Sequence, residues 1–182
     1  MLKLDNEKIN FLSGLVGYSF DGLISTNIDK DTINTSTYVS HYVKMIIQFK
    51  CKQAIRRIAI ESDFIENDDG DMFYDYVIEQ EDLLNYTKRP TFTFHSSPIK
   101  EILICGRKFE INDFKDYPDI YEKFIAFDKT DDVFIFKFEN DEEALLYFDC
   151  FLHRLTLTLN RNEIELFWNN YGELYEKHWT IR

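Results

Sequence analysis

Cysteine, proline, glycine and positive charge are all in short supply in this chain, and each shortage closes off a class of protein. Of 182 residues only Cys51, Cys105 and Cys150 carry thiols. Three cannot all pair within one chain. They stand far apart in apolar contexts, so they read as buried small hydrophobes and not as a disulfide framework. Three prolines and six glycines are too few for a Pro- or Gly-rich linker. No internal repeat is visible. Residues 1–182 are therefore expected to form a single domain, with the polar stretch "STNIDKDTINTST" at 25–37 as a long flexible loop.

Long apolar runs are missing too. None approaches the ~20 residues a membrane span needs. The opening "MLKLDNEKINFLSGLVGYSF" breaks its apolar residues with charges where a signal peptide would be continuous. A cytoplasmic location and no membrane contact are the expectations. At this size a chain buries roughly 70% of its unfolded surface, so its core requires neither metal nor disulfide.

The shortage of positive charge is the most informative. Lys and Arg number 21 against 33 Asp and Glu, a formal net charge of −12. Such a surface repels nucleic acid and anionic membranes. It favours encounter with a basic protein partner.

Aromatics are plentiful: 17 Phe, 11 Tyr and 2 Trp. Aromatic and β-branched residues suit pleated, half-buried surfaces. In "YVKMIIQFKCK", Val43, Met45, Ile47, Phe49 and Cys51 alternate with Lys44, Gln48, Lys50 and Lys52, and Ile46 alone breaks the period of two. "RRIAIESDFI" continues after the short "KQAI", which suits a hairpin. "EILICGRKFEI" reads as a hairpin turning near Gly106, and "FIAFDKTDDVFIFKFE" as another turning at Lys129 to Asp132. "NDEEALLYFDCFLH" reads as the best helix, capped by Asn140 or Asp141 with acids in its first turn. "RLTLTLNRNEIELFW" reads as a hairpin, and "ELYEKHWTIR" as a last strand. "DMFYDYVIEQEDLLNY" fits strand and helix equally. The sum is an α+β fold, mainly antiparallel sheet in hairpins or a meander, with one or two packed helices.

Motifs for chemistry fail on spacing. Aligning Gly70 with position 6 of a calcium loop puts Ile65 and Tyr76 where carboxylates are required. "GLVGYSFDG" lacks the Lys-Ser/Thr of a phosphate loop, so its glycines are assigned to bends and close packing. Cys150 and His153 have no second pair to complete a zinc site. No metal and no cofactor are expected. "FHSSP" offers His95 beside Ser96 and Ser97, but adjacency does not supply the oriented base a nucleophile needs.

The charge layout is more telling. Ten acids and no base run from Glu61 to Asp82, whereas five bases and no acid lie between His41 and Ile60. Neighbouring strands would partly neutralise one another. Within the acidic tract, Asp68, Asp69, Asp71, Phe73, Tyr74, Asp75, Tyr76 and Glu79 join carboxylates to aromatics. Carboxylates speed encounter with a cationic patch, and aromatics supply contact area. These eight are the candidate partner-binding residues. The expected function is a non-catalytic acidic binding protein, of the inhibitor or immunity type, that occludes a basic, nucleic-acid-handling protein. Two alternatives stand beside it. One is a small hydrolase using His95 or His41 with carboxylates in a sheet-edge pocket. The other is a structural or assembly subunit.

Overall fold

The structure, a computed structural model, describes residues 4–25, 37–41, 45–66, 72–80, 90–108, 131–149 and 154–182. Eleven strands among them form two antiparallel sheets. The first is built from β1 (Ser19–Ser25), β3 (Met45–Cys51), β4 (Ala54–Glu66), β5 (Met72–Gln80) and the short β6 (Phe92–Thr93), in the order β5-β4-β3-β1-β6. The second contains β2 (Thr37–His41), β7 (Ile99–Arg107), β8 (Asp131–Phe138), β9 (Glu143–Asp149), β10 (Arg154–Thr158) and β11 (Tyr175–Ile181), in the order β11-β7-β8-β9-β10-β2. Two short helices among the described residues, α1 (Asn6–Ser13) and α2 (Arg161–Tyr171), join the sheets in an α+β fold.

The alternation read from "YVKMIIQFKCK" locates the core. Met45, Ile47 and Phe49 of β3 are fully buried with Ile58 and Ile60 of β4, and they meet Phe134, Phe136 and Phe138 of β8. Phe20 on β1 bridges the sheets, its ring edge-on to Phe49 at 4.9 Å and to Phe136 at 5.0 Å. Rings at such angles are each worth about 0.5–1.5 kcal/mol beyond the area they bury. α1 adds Leu12 to this core. Its start is fixed by Asp5, whose carboxylate accepts the Lys8 amide at 2.8 Å.

α2 lies on the opposite face of the second sheet. Ile164 and Phe167 pack there with Cys105, Val133, Ile135, Leu145 and Tyr175. This second layer corrects two expectations. The segment "NDEEALLYFDCFLH" is not a helix: Glu143–Asp149 is strand β9, sitting between β8 and β10. Ala144, Leu146 and Phe148 face the inter-sheet core, while Leu145 joins the layer beneath α2. A strand buried on both faces is apolar throughout, so its sequence loses the period of two and imitates a helix. "RNEIELFWNNY" is no second hairpin strand but α2 itself, with the Asn160 side chain accepting the Asn162 amide at 3.0 Å.

Two turns also move. β7 continues through Gly106, which pairs with Glu176 of β11 and, after a register shift at Cys105, with Asp131 of β8. Asp131 and Asp132 belong to β8 and not to a turn. The hairpin at "KQAI" is present, with Lys52 in a positive-φ conformation (φ 55°) between the paired ends Cys51 and Ala54. The ambiguous segment resolves as strand over Met72–Gln80. The glycines of "GLVGYSFDG" serve bends and close approach. Gly17 has φ 84°, and a Cβ on Gly22 would fall 2.4 Å from the Pro90 ring. The turn "NDDG" and most of the 25–37 stretch lie outside the described residues.

Candidate binding surfaces

The predicted acidic and aromatic tract falls on the rim of the first sheet. Phe73, Tyr74, Asp75, Tyr76 and Glu79 occupy β5, the edge strand among the described residues. Asp68, Asp69 and Asp71 lie outside the described residues. The register decides whether neighbouring strands cancel the charge. The acids of the β4–β5 pair stand opposite Val77 (Glu61), Asp75 (Asp63), Met72 (Glu66) and Ala59 (Glu79). None of these partners is a base. Arg56 and Arg57 sit at the other end of β4, opposite Phe49 and Gln48 of β3. Acid and base are therefore segregated along the strand. The register thus sets two acidic residues, Asp63 and Asp75, opposite each other.

Arg57 is drawn into the sheet. Its Nε donates to the Gln48 side-chain oxygen at 2.9 Å, and the Gln48 amide donates to Asp21. Arg56 rests over the Tyr18 ring, 5.1 Å from its centre. Both arginines thus have local contacts of their own.

Sequence reasoning missed a second feature. A cleft of about 880 Å³ opens where the edge strand of one sheet meets the edge strand of the other, with β6 on one wall, β2 on another and the first turn of α2 at its mouth. Tyr38, Phe94 and Phe138 form its floor, all buried. The Tyr38 ring is wedged against Phe92 and Phe94, each 5.3 Å away between centres. Burial pushes its phenol pKa up, so the group stays neutral at ordinary pH.

The turn between β8 and β9 supplies three consecutive acids to the cleft, Asp141, Glu142 and Glu143, and α2 supplies Glu165. Their neighbours differ. Asp141 is held by Lys100, which keeps its carboxyl below the usual range. Glu165 pairs with Arg161 at 2.9 Å. Glu143 shares Lys137 with Glu101, each at 3.8 Å. Glu142 accepts only from the neutral Asn140 amide, at 2.8 Å. No cation among the described residues answers Glu142, which is exposed. The signal for this turn was the run "NDEE", read instead as a helix cap.

His95 and Ser96 also line the cleft. The Ser96 hydroxyl oxygen accepts the Phe20 amide at 2.7 Å, a bond that anchors the loop after β6 to β1. His95 is exposed. His41 ends β2, opposite Arg154, with its side chain outside the described residues, as are Cys150 and His153. Among the described residues no group of three or more His, Cys, Asp or Glu is placed to hold a metal ion, and no helix is long and apolar enough to cross a membrane.

Compared with protein-family models, with curated proteins and with solved structures, the chain matches none of them.

Proposed function

We propose that this chain acts by binding, as an inhibitor- or immunity-type protein that occludes a basic, nucleic-acid-handling protein partner. The observation that supports this reading is the β4–β5 register. Within the β4–β5 ladder the backbone register sets Glu61, Asp63, Glu66 and Glu79 opposite no Lys or Arg, and sets Asp63 opposite Asp75. A sheet built only for stability would place opposite charges there. Acidic residues gathered in an edge strand would offer a docking place to a cationic surface that otherwise holds phosphates. Residues 66–82, with Asp68, Asp69, Asp71, Phe73, Tyr74, Asp75, Tyr76 and Glu79, are the proposed contact.

The test replaces Asp68, Asp69, Asp71 and Asp75 together by Asn. Immobilised native chain should retain a basic protein at low salt and release it at high salt, because screening shortens the reach of charge. The variant should keep its melting temperature and bind roughly tenfold more slowly at low salt. Retention that is unchanged in the variant removes the acidic tract from the account.

The cleft favours a second reading, a small hydrolase using His95 with the carboxylates beside it. The Ser96 oxygen is already engaged by a backbone amide, so the base would have to activate water instead. Turnover of chromogenic esters or phosphodiesters that is lost in His95→Ala would support this reading, and no turnover would dismiss it.

A further inference from the structure

The cleft does not depend on β5, and its chemistry is specific enough to name a ligand class. We propose that it is a binding site for a small organic cation, an aliphatic amine or guanidine. The charged groups would sit at Glu142 and Glu143, and the hydrocarbon part would cover Tyr38 and Phe94.

Three independent observations meet here. The first is size. About 880 Å³ falls within the roughly 300–1,000 Å³ typical of small-molecule sites and exceeds what one side chain would fill. The second is Tyr38. It is only 8% exposed, yet its hydroxyl makes no hydrogen bond among the described residues. Nor is that oxygen among the fully sequestered polar atoms without a hydrogen bond in the described residues. The ring that carries this oxygen is held against Phe92 and Phe94, and the residue lines the cleft. That hydroxyl is available to accept an N–H from a ligand.

The third observation is the order of charges. Asp141 and Glu165 are each answered by a cation of this chain, Lys100 and Arg161. Among the described residues Glu142 is not, and Glu143 has only half a share of Lys137. The uncompensated charge therefore lies on the two adjacent acids of the β8–β9 turn, above an aromatic floor. Ammonium and guanidinium groups are attracted by aromatic faces as well as by carboxylates. An anionic ligand would meet the same two carboxylates with repulsion. A neutral one would leave Glu142 unanswered.

Spermidine is a suitable probe, with N-acetylated spermidine as its less charged analogue and an arginine-rich peptide as the macromolecular source of the same groups. Calorimetric titration at moderate salt should show one saturable site for spermidine, weaker by fivefold or more for the acetylated form. Glu142→Gln and Tyr38→Phe, both conservative in volume, should each weaken it by threefold or more. Glu7→Gln, which removes an exposed acid on α1 outside the cleft, should leave it unchanged. Equal weakening by Glu142→Gln and Glu7→Gln would mean diffuse attraction to an acidic surface and would overturn the proposal. Absence of saturable spermidine binding would overturn it too. So would binding of the peptide alone, which would hand the cleft to a basic protein. A variant that fails to melt cooperatively is replaced by Glu143→Gln, for which the same weakening is expected.

Discussion

His178 Nδ1 lies 2.8 Å from Asp131 Oδ1, and the other oxygen of the same carboxylate accepts the Leu4 amide at 2.9 Å. One buried carboxylate thus ties the last strand of the second sheet to the segment leading into α1. Nδ1 is thus the ring nitrogen turned to this carboxylate. This leaves Nε2 facing Glu176 at 3.4 Å. Removing Asp131 would leave the Leu4 amide buried without its acceptor. Asp131→Ala should cost about 3 kcal/mol, and Asp131→Asn, which keeps one carbonyl oxygen, distinctly less. Urea melts of the two variants decide this. Equal losses would show that packing and not hydrogen bonding holds the site.

Thr156 presents the opposite case. Its hydroxyl is buried on β10 with no hydrogen-bond partner among the described residues. Valine has nearly the same shape and no hydroxyl to desolvate. Thr156→Val should raise stability by about 1 kcal/mol. A drop of that size would reveal a partner such as an ordered water.

Lys52 holds φ 55° in the tight turn joining β3 to β4. Side chains with a Cβ resist that conformation, and glycine does not. Lys52→Gly should stabilise by about 1 kcal/mol, the cost of positive φ for an ordinary residue. Thermal melts at two salt concentrations would separate this backbone gain from any effect of deleting a charge.

Acid should loosen the fold in a defined window. The Arg182 guanidinium bonded to Glu101 holds that carboxyl below its usual range, and the Lys8 amide does the same for Asp5. Groups whose folded pKa is depressed add stability above their unfolded pKa and lose it as pH falls through the folded value. For carboxylates the loss begins below about pH 4. Melting temperature should be flat above that point with respect to these groups and fall beneath it. Glu101→Gln should flatten the fall.

Burial pushes the Cys105 thiol up, and α2 covers it from one side. A neutral, covered thiol is a poor nucleophile. Native protein should therefore react slowly with a thiol reagent at Cys105, while denatured protein should expose all three cysteines. Fast modification at Cys105 without unfolding would mean that α2 opens readily.

How far the sequence revealed these features depended on how many faces each element buries. β3 and the β3–β4 turn were legible because Lys50 and Lys52 alternate with Phe49 and Cys51. β9 was not, because "ALLYF" is buried between Phe136 on one side and Phe167 on the other, and polarity cannot mark a face that is absent. α2 carried its own signals in Asn160 and Glu163, but the alternation of Leu155, Leu157 and Leu159 continued up to it and concealed the change of period. The cleft was hidden for a different reason. Tyr38, Phe94 and Glu142 are distant in sequence, and only the sheet order brings them together.

The hydroxyls of Thr37 and Thr158 meet at 2.7 Å although 121 positions separate them. Closing so long a loop brings little reward until β8, β9 and β10 already stand in place, so β2 is a late arrival during folding. Among the described residues it is also a short edge strand, and edge strands held by one neighbour fray first. Tyr38 is the next residue along. When β2 detaches, one wall of the cleft leaves with it while the inter-sheet core remains. Amide exchange along Thr37–His41 is thus a direct gauge of the cleft's occupancy. Whatever fills the space beside Tyr38 must slow that exchange, whereas a partner gripping β5 on the other sheet need not.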